Sequence, residues 1–329
     1  MMLRALLPKY HDILEENGTA CYLNCKHIPV IFDQSLSTDE LWRIHDEVLG
    51  VYTVQNTIQT PSLLDLKIEL ADRLFQACCF CEHKCKVDRR NAAGICGVQE
   101  AHVALEFLHY GEEPVLTPSH TIFFSGCTFH CVFCQNWDIS QVPCGTIIAP
   151  KQLAARIEQR KTQGSRNVNW VGGDPTSNLP YILKVLRYVN SNIPQVWNSN
   201  MYCSEETMKL LHGVIDIYLT DFKYGNDSCA KRLSDADGYV AVVKRNHFLA
   251  YQHGEVIIRH LVLPNHIECC SKPIIDYIAK TLPNIVVNIM AQYRPEYIAY
   301  EYKDIARSPS PEEILQVREY AENHCINLI

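Results

Sequence analysis

Beyond residue 120 the chain alternates between two kinds of hydrophobic pattern. Short apolar runs of strand type cover 121–125, 167–171, 195–198, 215–220, 255–263 and 285–290, and segments of helical periodicity cover 151–163, 181–189, 205–212, 238–250 and 274–281. A last helix is predicted from Ser310, because Ser310 and Glu313 have the spacing of a capping box and Pro311 takes the first helical position. Strict alternation of strands with helices predicts an α/β domain built on a parallel sheet with right-handed crossovers. Such a domain binds its ligands at the C-terminal ends of the strands.

The first part of the chain differs. Residues 1–76 carry helical patterns at 38–51 and 62–75 and no repeated strand signal, and are expected to form a helical N-terminal extension. Residues 77–119 open with a compact cysteine-rich stretch in which Lys84, Lys86, Arg89, Arg90 and Gly94 have the character of loop residues around a metal. Residues 120–329 are expected to be the α/β domain.

Bulk properties narrow the partners. Lys+Arg number 30 against Asp+Glu 37, a net charge of -7, and no basic residues concentrate into a patch or tail, which argues against nucleic acid as the main partner. No apolar segment approaches the roughly 20 residues that cross a bilayer, so no membrane partner is expected and the chain reads as cytoplasmic. Sixteen cysteines then change the picture. A reducing cytosol keeps thiols free, so metal ligation is favoured over a disulfide framework.

Three of those thiols, Cys127, Cys131 and Cys134, fall within eight residues on the loop that follows the first predicted strand. A cubane [4Fe-4S] cluster takes four cysteine ligands, so a three-cysteine loop would leave one iron open to an exchangeable ligand. The competing reading pairs Cys131 and Cys134 with Cys78 and Cys81 as two zinc knuckles, a zinc-ribbon interaction module without catalysis. It leaves Cys127 idle.

The pattern Cys127-x3-Cys131-x2-Cys134, with Phe133 before the third cysteine, resembles the signature of the radical S-adenosylmethionine (radical SAM) enzymes. The continuation Gln135-Asn136 resembles the branch around the pyruvate formate-lyase activating enzyme, in particular its uncharacterised iron-sulfur homologues. The resemblance covers about residues 76 to 325 and implies a partial (β/α)6 barrel holding a [4Fe-4S] cluster and S-adenosylmethionine. It also implies reductive cleavage of that cofactor to a 5'-deoxyadenosyl radical, which abstracts a hydrogen atom from a substrate. The activase likeness implies a protein substrate of glycyl-radical type and a reductant such as flavodoxin or ferredoxin. Modification of a small metabolite or of another protein is the alternative.

Further residues acquire roles on the same resemblance. Phe133 and Gln135 are expected near the cofactor. Gly172-Gly173-Asp174 ends the second strand and is similar to the family's Gly-Gly-Glu methionine-binding motif, with Asp in place of Glu. Asn198 and Asn200 end the third strand, and Asp221-Phe222-Lys223 ends the fourth and resembles the activases' Asp-Leu-Lys. Helix caps and ion pairs would explain Asn200 or Asp221 equally well. Arg259 interrupts the apolar fifth strand and must be paired, either with a cofactor carboxylate or with Asp221. Cys78-x2-Cys81-x3-Cys85-x10-Cys96 supplies four potential ligands for a second iron-sulfur cluster or a structural zinc. Cys21, Cys25, Cys144, Cys203, Cys229, Cys269, Cys270 and Cys325 show no such spacing and are expected mostly to be packing residues.

Overall fold

The computed structural model describes residues 2–51 and 54–329. One sheet of eight strands runs in chain order: β1 (Val103–His109), β2 (Ser119–Phe124), β3 (Asn167–Trp170), β4 (Gln195–Ser199), β5 (Ile217–Asp221), β6 (Glu255–Leu261), β7 (Val286–Met290) and β8 (Asn327–Leu328). Strands β2 to β8 pair in parallel, and β1 pairs antiparallel with β2. The six predicted strands are β2 to β7, each within two residues of its expected start. Spatial order equal to chain order is what repeated right-handed βα winding produces, and the sheet is the expected partial (β/α)6 barrel with β1 and β8 added at its edges.

Both faces of the strands are buried, and alternation assigns each residue a side. Val196, Ile217, Leu219, Ile257 and Val286 join one apolar cluster inside the barrel. Val168, Trp170, Trp197, Tyr218, Val256, Ile258 and Val287 join the larger cluster beneath the helices. Those helices span Pro150–Thr162, Leu179–Leu186, Glu205–Leu211, Tyr239–His253 and Lys272–Thr281, as the periodicity predicted. An additional helix, Asp227–Ser234, lies between β5 and the Tyr239–His253 helix and has no counterpart among the predicted segments. The final helix, Pro311–Asn323, has its capping box: Ser310 Oγ accepts from Glu313 N, and the Glu313 carboxylate accepts from Ser310 N.

Residues of the N-terminal segment complete the core. Leu7 and Tyr10 sit fully buried in the interior cluster with Val115 and Leu116. The Tyr10 hydroxyl accepts from Asn167 Nδ2 (2.9 Å), and the Glu255 carboxylate accepts from the backbone N–H groups of Lys9 (2.7 Å) and Tyr10 (2.9 Å). This segment therefore closes the N-terminal end of the barrel. Helix Leu63–Gln76, started by a Ser62–Asp65 capping box, lays its buried leucines on the outer helix Leu179–Leu186.

Candidate functional site

The thiol loop leaves β2 at Phe124. Gly173 N and Asp174 N donate to the carbonyls of Phe124 (3.0 Å) and Gly126 (3.2 Å), so the end of β3 is laced to the start of the loop. No side chain fits between them. Gly172 has φ +123°, and a Cβ on Gly173 would stand 2.1 Å from the Gly126 carbonyl oxygen and 2.8 Å from Cys127 Cβ. In the structure these glycines admit the thiol loop.

Cys127 and Cys131 are buried and Cys134 is half-buried. Each sulfur has a hydrogen-bonding neighbour: Phe129 N donates to Cys127 Sγ (3.3 Å), Ser234 Oγ to Cys131 Sγ (2.9 Å), and Ser140 Oγ lies 3.1 Å from Cys134 Sγ. Burial pushes the Cys127 thiol well above its ordinary range, with the Asp174 carboxylate adding to the rise. Burial likewise lifts Cys131 to about 12, against which Lys223 pulls down. Metal binding removes these protons, and the hydrogen bonds to sulfur are of the kind that tune an iron-sulfur centre.

The other expected residues fall into distinct places. Phe133 is buried edge-to-face against Tyr293, and exposed Gln135 donates through Nε2 to the Gln292 carbonyl (3.3 Å). The Asp174 side chain is wholly buried and internally committed, accepting from Thr176 N, Ser199 Oγ and Asn200 N, each at 2.9 Å. Burial raises its pKa against those hydrogen bonds. Asn200 Nδ2 donates to Thr128 Oγ1 (2.9 Å) and lies 3.9 Å from Cys127 Sγ, which joins the end of β4 to the thiol loop.

Asp221, Lys223, Arg259 and Asn198 form one network inside the barrel. Arg259 donates through Nε to Asp221 Oδ1 (3.1 Å), through Nη1 to Glu112 Oε2 (3.3 Å) and through Nη2 to Asn198 Oδ1. Asp221 also pairs with Lys223. Burial opposes ionisation of Asp221, yet Lys223 and Arg259 hold its carboxyl down at about 2. The Asp221 carboxylate is one of the two partners left open for Arg259.

Two residues without a sequence signal belong to this network. The loop between β1 and β2 carries Glu112 and Glu113 across the interior, where Glu112 accepts from Asn169 on β3 (3.1 Å) and Glu113 from Asn288 on β7 (3.0 Å). Polar residues on β3, β4, β5, β6 and β7 thus form a layer above the apolar one. Only their common inward register would have pointed to it.

The cysteine-rich stretch is packed against the thiol loop. A Cβ on Gly126 would stand 2.7 Å from the Cys96 carbonyl oxygen, and His83 Nε2 donates to the Thr128 carbonyl (2.7 Å). Arg89, 1% exposed, donates to the carbonyls of Val98 and Ser177 and so ties the stretch to the barrel. Burial pushes the Cys78 thiol up to about 11, countered by Arg89, and the Cys81 thiol up to about 12. A cavity of about 720 Å³ opens between Arg89, Val98, His102, Ser125, Asn178 and Tyr181, beside this contact rather than over the three thiols.

Among the remaining cysteines, Cys25 Sγ donates to the Gly213 carbonyl (2.9 Å), and Cys203 pairs across an isolated bridge with Cys81. The sulfurs of Cys229 and Cys269, two cysteines without a spacing signal, and a ring nitrogen of His266 lie within 4.8 Å of one another.

An uncharacterised protein of Methanocaldococcus jannaschii is 49% identical over 336 residues, covering 98% of this chain and 99% of that protein. Among solved structures, Streptococcus suis SuiB bound to S-adenosylmethionine aligns with a TM-score of 0.47 at 14% identity, over 62% of this chain and 47% of that one. This chain thus spans about half the length of SuiB. A domain of the pyruvate-formate lyase-activating enzyme from Bacteroides vulgatus aligns with a TM-score of 0.35 at 14% identity, over 55% of this chain and 89% of that one. The model of the radical SAM superfamily matches residues 121–278, from β2 and its thiol loop to the helix after β6, and this part of the chain is a radical SAM domain.

Proposed function

We propose that Cys127, Cys131 and Cys134 hold a [4Fe-4S] cluster whose open iron binds S-adenosylmethionine, and that the enzyme abstracts a hydrogen atom from a protein substrate, as a glycyl-radical activase does. When bound, the reduced cluster supplies an electron that cleaves the cofactor's carbon-sulfur bond, and the cofactor supplies the abstracting radical. The observation that carries the reading is the meeting of strand ends at the thiols. Asn200 from β4 lies 3.9 Å from Cys127 Sγ, while Lys223 after β5 acts electrostatically on Cys131.

The chain's own groups then divide the work. Asn200 and the Gly172-Gly173 turn hold the loop, and Asp174 holds Asn200 and Ser199 in turn. Lys223 and Arg259 present positive charge toward a bound carboxylate, while Asp221 and Asn198 accept from ligand hydroxyl or ammonium groups. Burial of the site excludes water from a reactive radical.

The second thiol set, Cys78, Cys81, Cys85 and Cys96, is proposed to hold a further [4Fe-4S] cluster. One feature favours it over zinc. Among the described residues no three of these sulfurs lie within 4.8 Å of one another. Thiolates on one zinc sit closer than that, whereas those of a cubane bond to different irons. The same spacing disfavours a zinc ribbon built from Cys78, Cys81, Cys131 and Cys134.

Anaerobically reconstituted, dithionite-reduced protein is expected to convert S-adenosylmethionine to 5'-deoxyadenosine, and the Cys127→Ala, Cys131→Ala, Cys134→Ala variant is not. An intact reduced cluster without cleavage would defeat the radical assignment. Iron is expected at about eight atoms per chain, falling to about four in a Cys81→Ala, Cys85→Ala variant. A glycyl-radical doublet on a co-encoded enzyme would support the activase reading. Deoxyadenosine formation that responds only to a small metabolite would replace it.

A further inference from the structure

The loops after β5 and β6 meet at a second kind of thiol site. Cys229 lies in the helix Asp227–Ser234, while His266, Cys269 and Cys270 lie around a π-helical turn, Ile267–Ser271. Ligand atoms of Cys229, His266 and Cys269 lie within 4.8 Å of one another, and Cys270 Sγ is 3.8 Å from Cys269 Sγ. Four zinc bonds of about 2.3 Å at tetrahedral angles put sulfur ligands roughly 3.8 Å apart. A cubane needs wider spacing.

Neighbouring groups prepare the ligands. His266 Nδ1 donates to the Pro264 carbonyl (2.9 Å), so Nε2 carries the lone pair of the neutral imidazole. Arg232 Nη2, which can only donate, stands 3.3 Å from Nε2, and the Asp304 carboxylate, paired with Arg232, lies 3.4 Å from it, so a zinc ion would take the place of these contacts. A backbone carbonyl on the far ring nitrogen is the usual outer partner of a metal-bound histidine. Asn226 caps the helix through Cys229 N and turns its Nδ2 toward Cys229 Sγ (3.3 Å) and Cys270 Sγ (3.7 Å). The two loops touch so closely that a Cβ on Gly225 would stand 2.7 Å from the Cys270 carbonyl oxygen.

We propose that Cys229, His266, Cys269 and Cys270 form a Cys3His site for one structural zinc ion that staples the β5 loop to the β6 loop. The staple acts on the radical centre through one helix. Its last residues receive the thiol loop: His130 N donates to the Ser234 carbonyl (3.1 Å), Val132 N to the Leu233 carbonyl (2.9 Å), and Ser234 Oγ donates to Cys131 Sγ. Fixing Cys229 at the start of this short helix fixes the cradle at its end.

Zinc and iron are to be measured on the full-length protein purified anaerobically with its iron in place. About one zinc per chain is expected, with an X-ray absorption signature of three sulfurs and one nitrogen. Zinc is expected to persist in the Cys127→Ala, Cys131→Ala, Cys134→Ala variant and to be lost from Cys229→Ser and from Cys269→Ser. His266→Cys guards against misfolding as the cause of loss, since it should retain zinc with an all-sulfur signature. Wild-type protein without zinc, zinc that survives Cys229→Ser, or a Cys229–Cys269 disulfide found by mass spectrometry in the anaerobic protein would each overturn the proposal.

Discussion

Ser234 donates its hydroxyl to the Cys131 thiol across 2.9 Å, from a helix 103 residues further along the chain. A donor to a cluster sulfur stabilises the more electron-rich, reduced state. Ser234→Ala is therefore expected to lower the cluster potential, by on the order of tens of millivolts. A redox titration followed by electron paramagnetic resonance measures it, and an unchanged or raised potential contradicts the assignment.

Gly173 has no room for a methyl group, because the nearest atoms in its way belong to the Gly126 backbone carbonyl. Gly173→Ala is expected to force the end of β3 from the thiol loop, costing more than about 2 kcal/mol of stability. Iron content after reconstitution should fall with it. A variant that unfolds at the wild-type temperature and binds iron normally would show that the loop is held by other contacts.

Asp221 is the shared counter-charge of Lys223 and Arg259. Asp221→Asn leaves two largely buried cations with reduced compensation and is expected to destabilise by about 3 kcal/mol. Adding Lys223→Met should restore part of that loss, since it removes one of the stranded charges. Denaturant midpoints of the single and double variants make the comparison. Equal loss in both would mean that the pair is not coupled.

Glu255 gives the closure of the barrel a pH dependence. Burial raises its pKa from 4.5 to about 7, against the two backbone donors of Lys9 and Tyr10, and the nearby Asp216 carboxylate adds to the rise. The folded state then binds more protons than the unfolded one between those values. The contribution to stability is full below pH 4.5 and is lost as pH rises through 7. Partial exposure of the side chain reduces the effect to about 2 kcal/mol. Denaturation at pH 5 and pH 8 should show this loss in the wild type and less of it in Glu255→Gln.

What the sequence by itself determined is whatever local order encodes. Six apolar runs separated by helical periods specify β2 to β7 and their parallel winding, because strand burial and crossover handedness leave few alternatives. Cys127, Cys131 and Cys134 are legible because one loop carries all three, and Ser310 with Glu313 because a cap is made within one turn. β1 was not legible, since Val103–His109 mixes polar and apolar residues at an edge and its burial depends on its partner.

The tertiary structure alone decided which distant residues share a site. Glu112 and Glu113 enter the barrel only because the β1–β2 loop crosses it, and Tyr10 reaches Glu255 across 245 positions. Cys229, His266, Cys269 and Cys270 carry no common motif, because their convergence is made by two loops on neighbouring strands. Asp174 stands in a ligand-binding pattern by position, and only folding brings its carboxylate to Thr176, Ser199 and Asn200. A buried charge takes the donors that packing brings to it, and spacing along the chain does not record which those are.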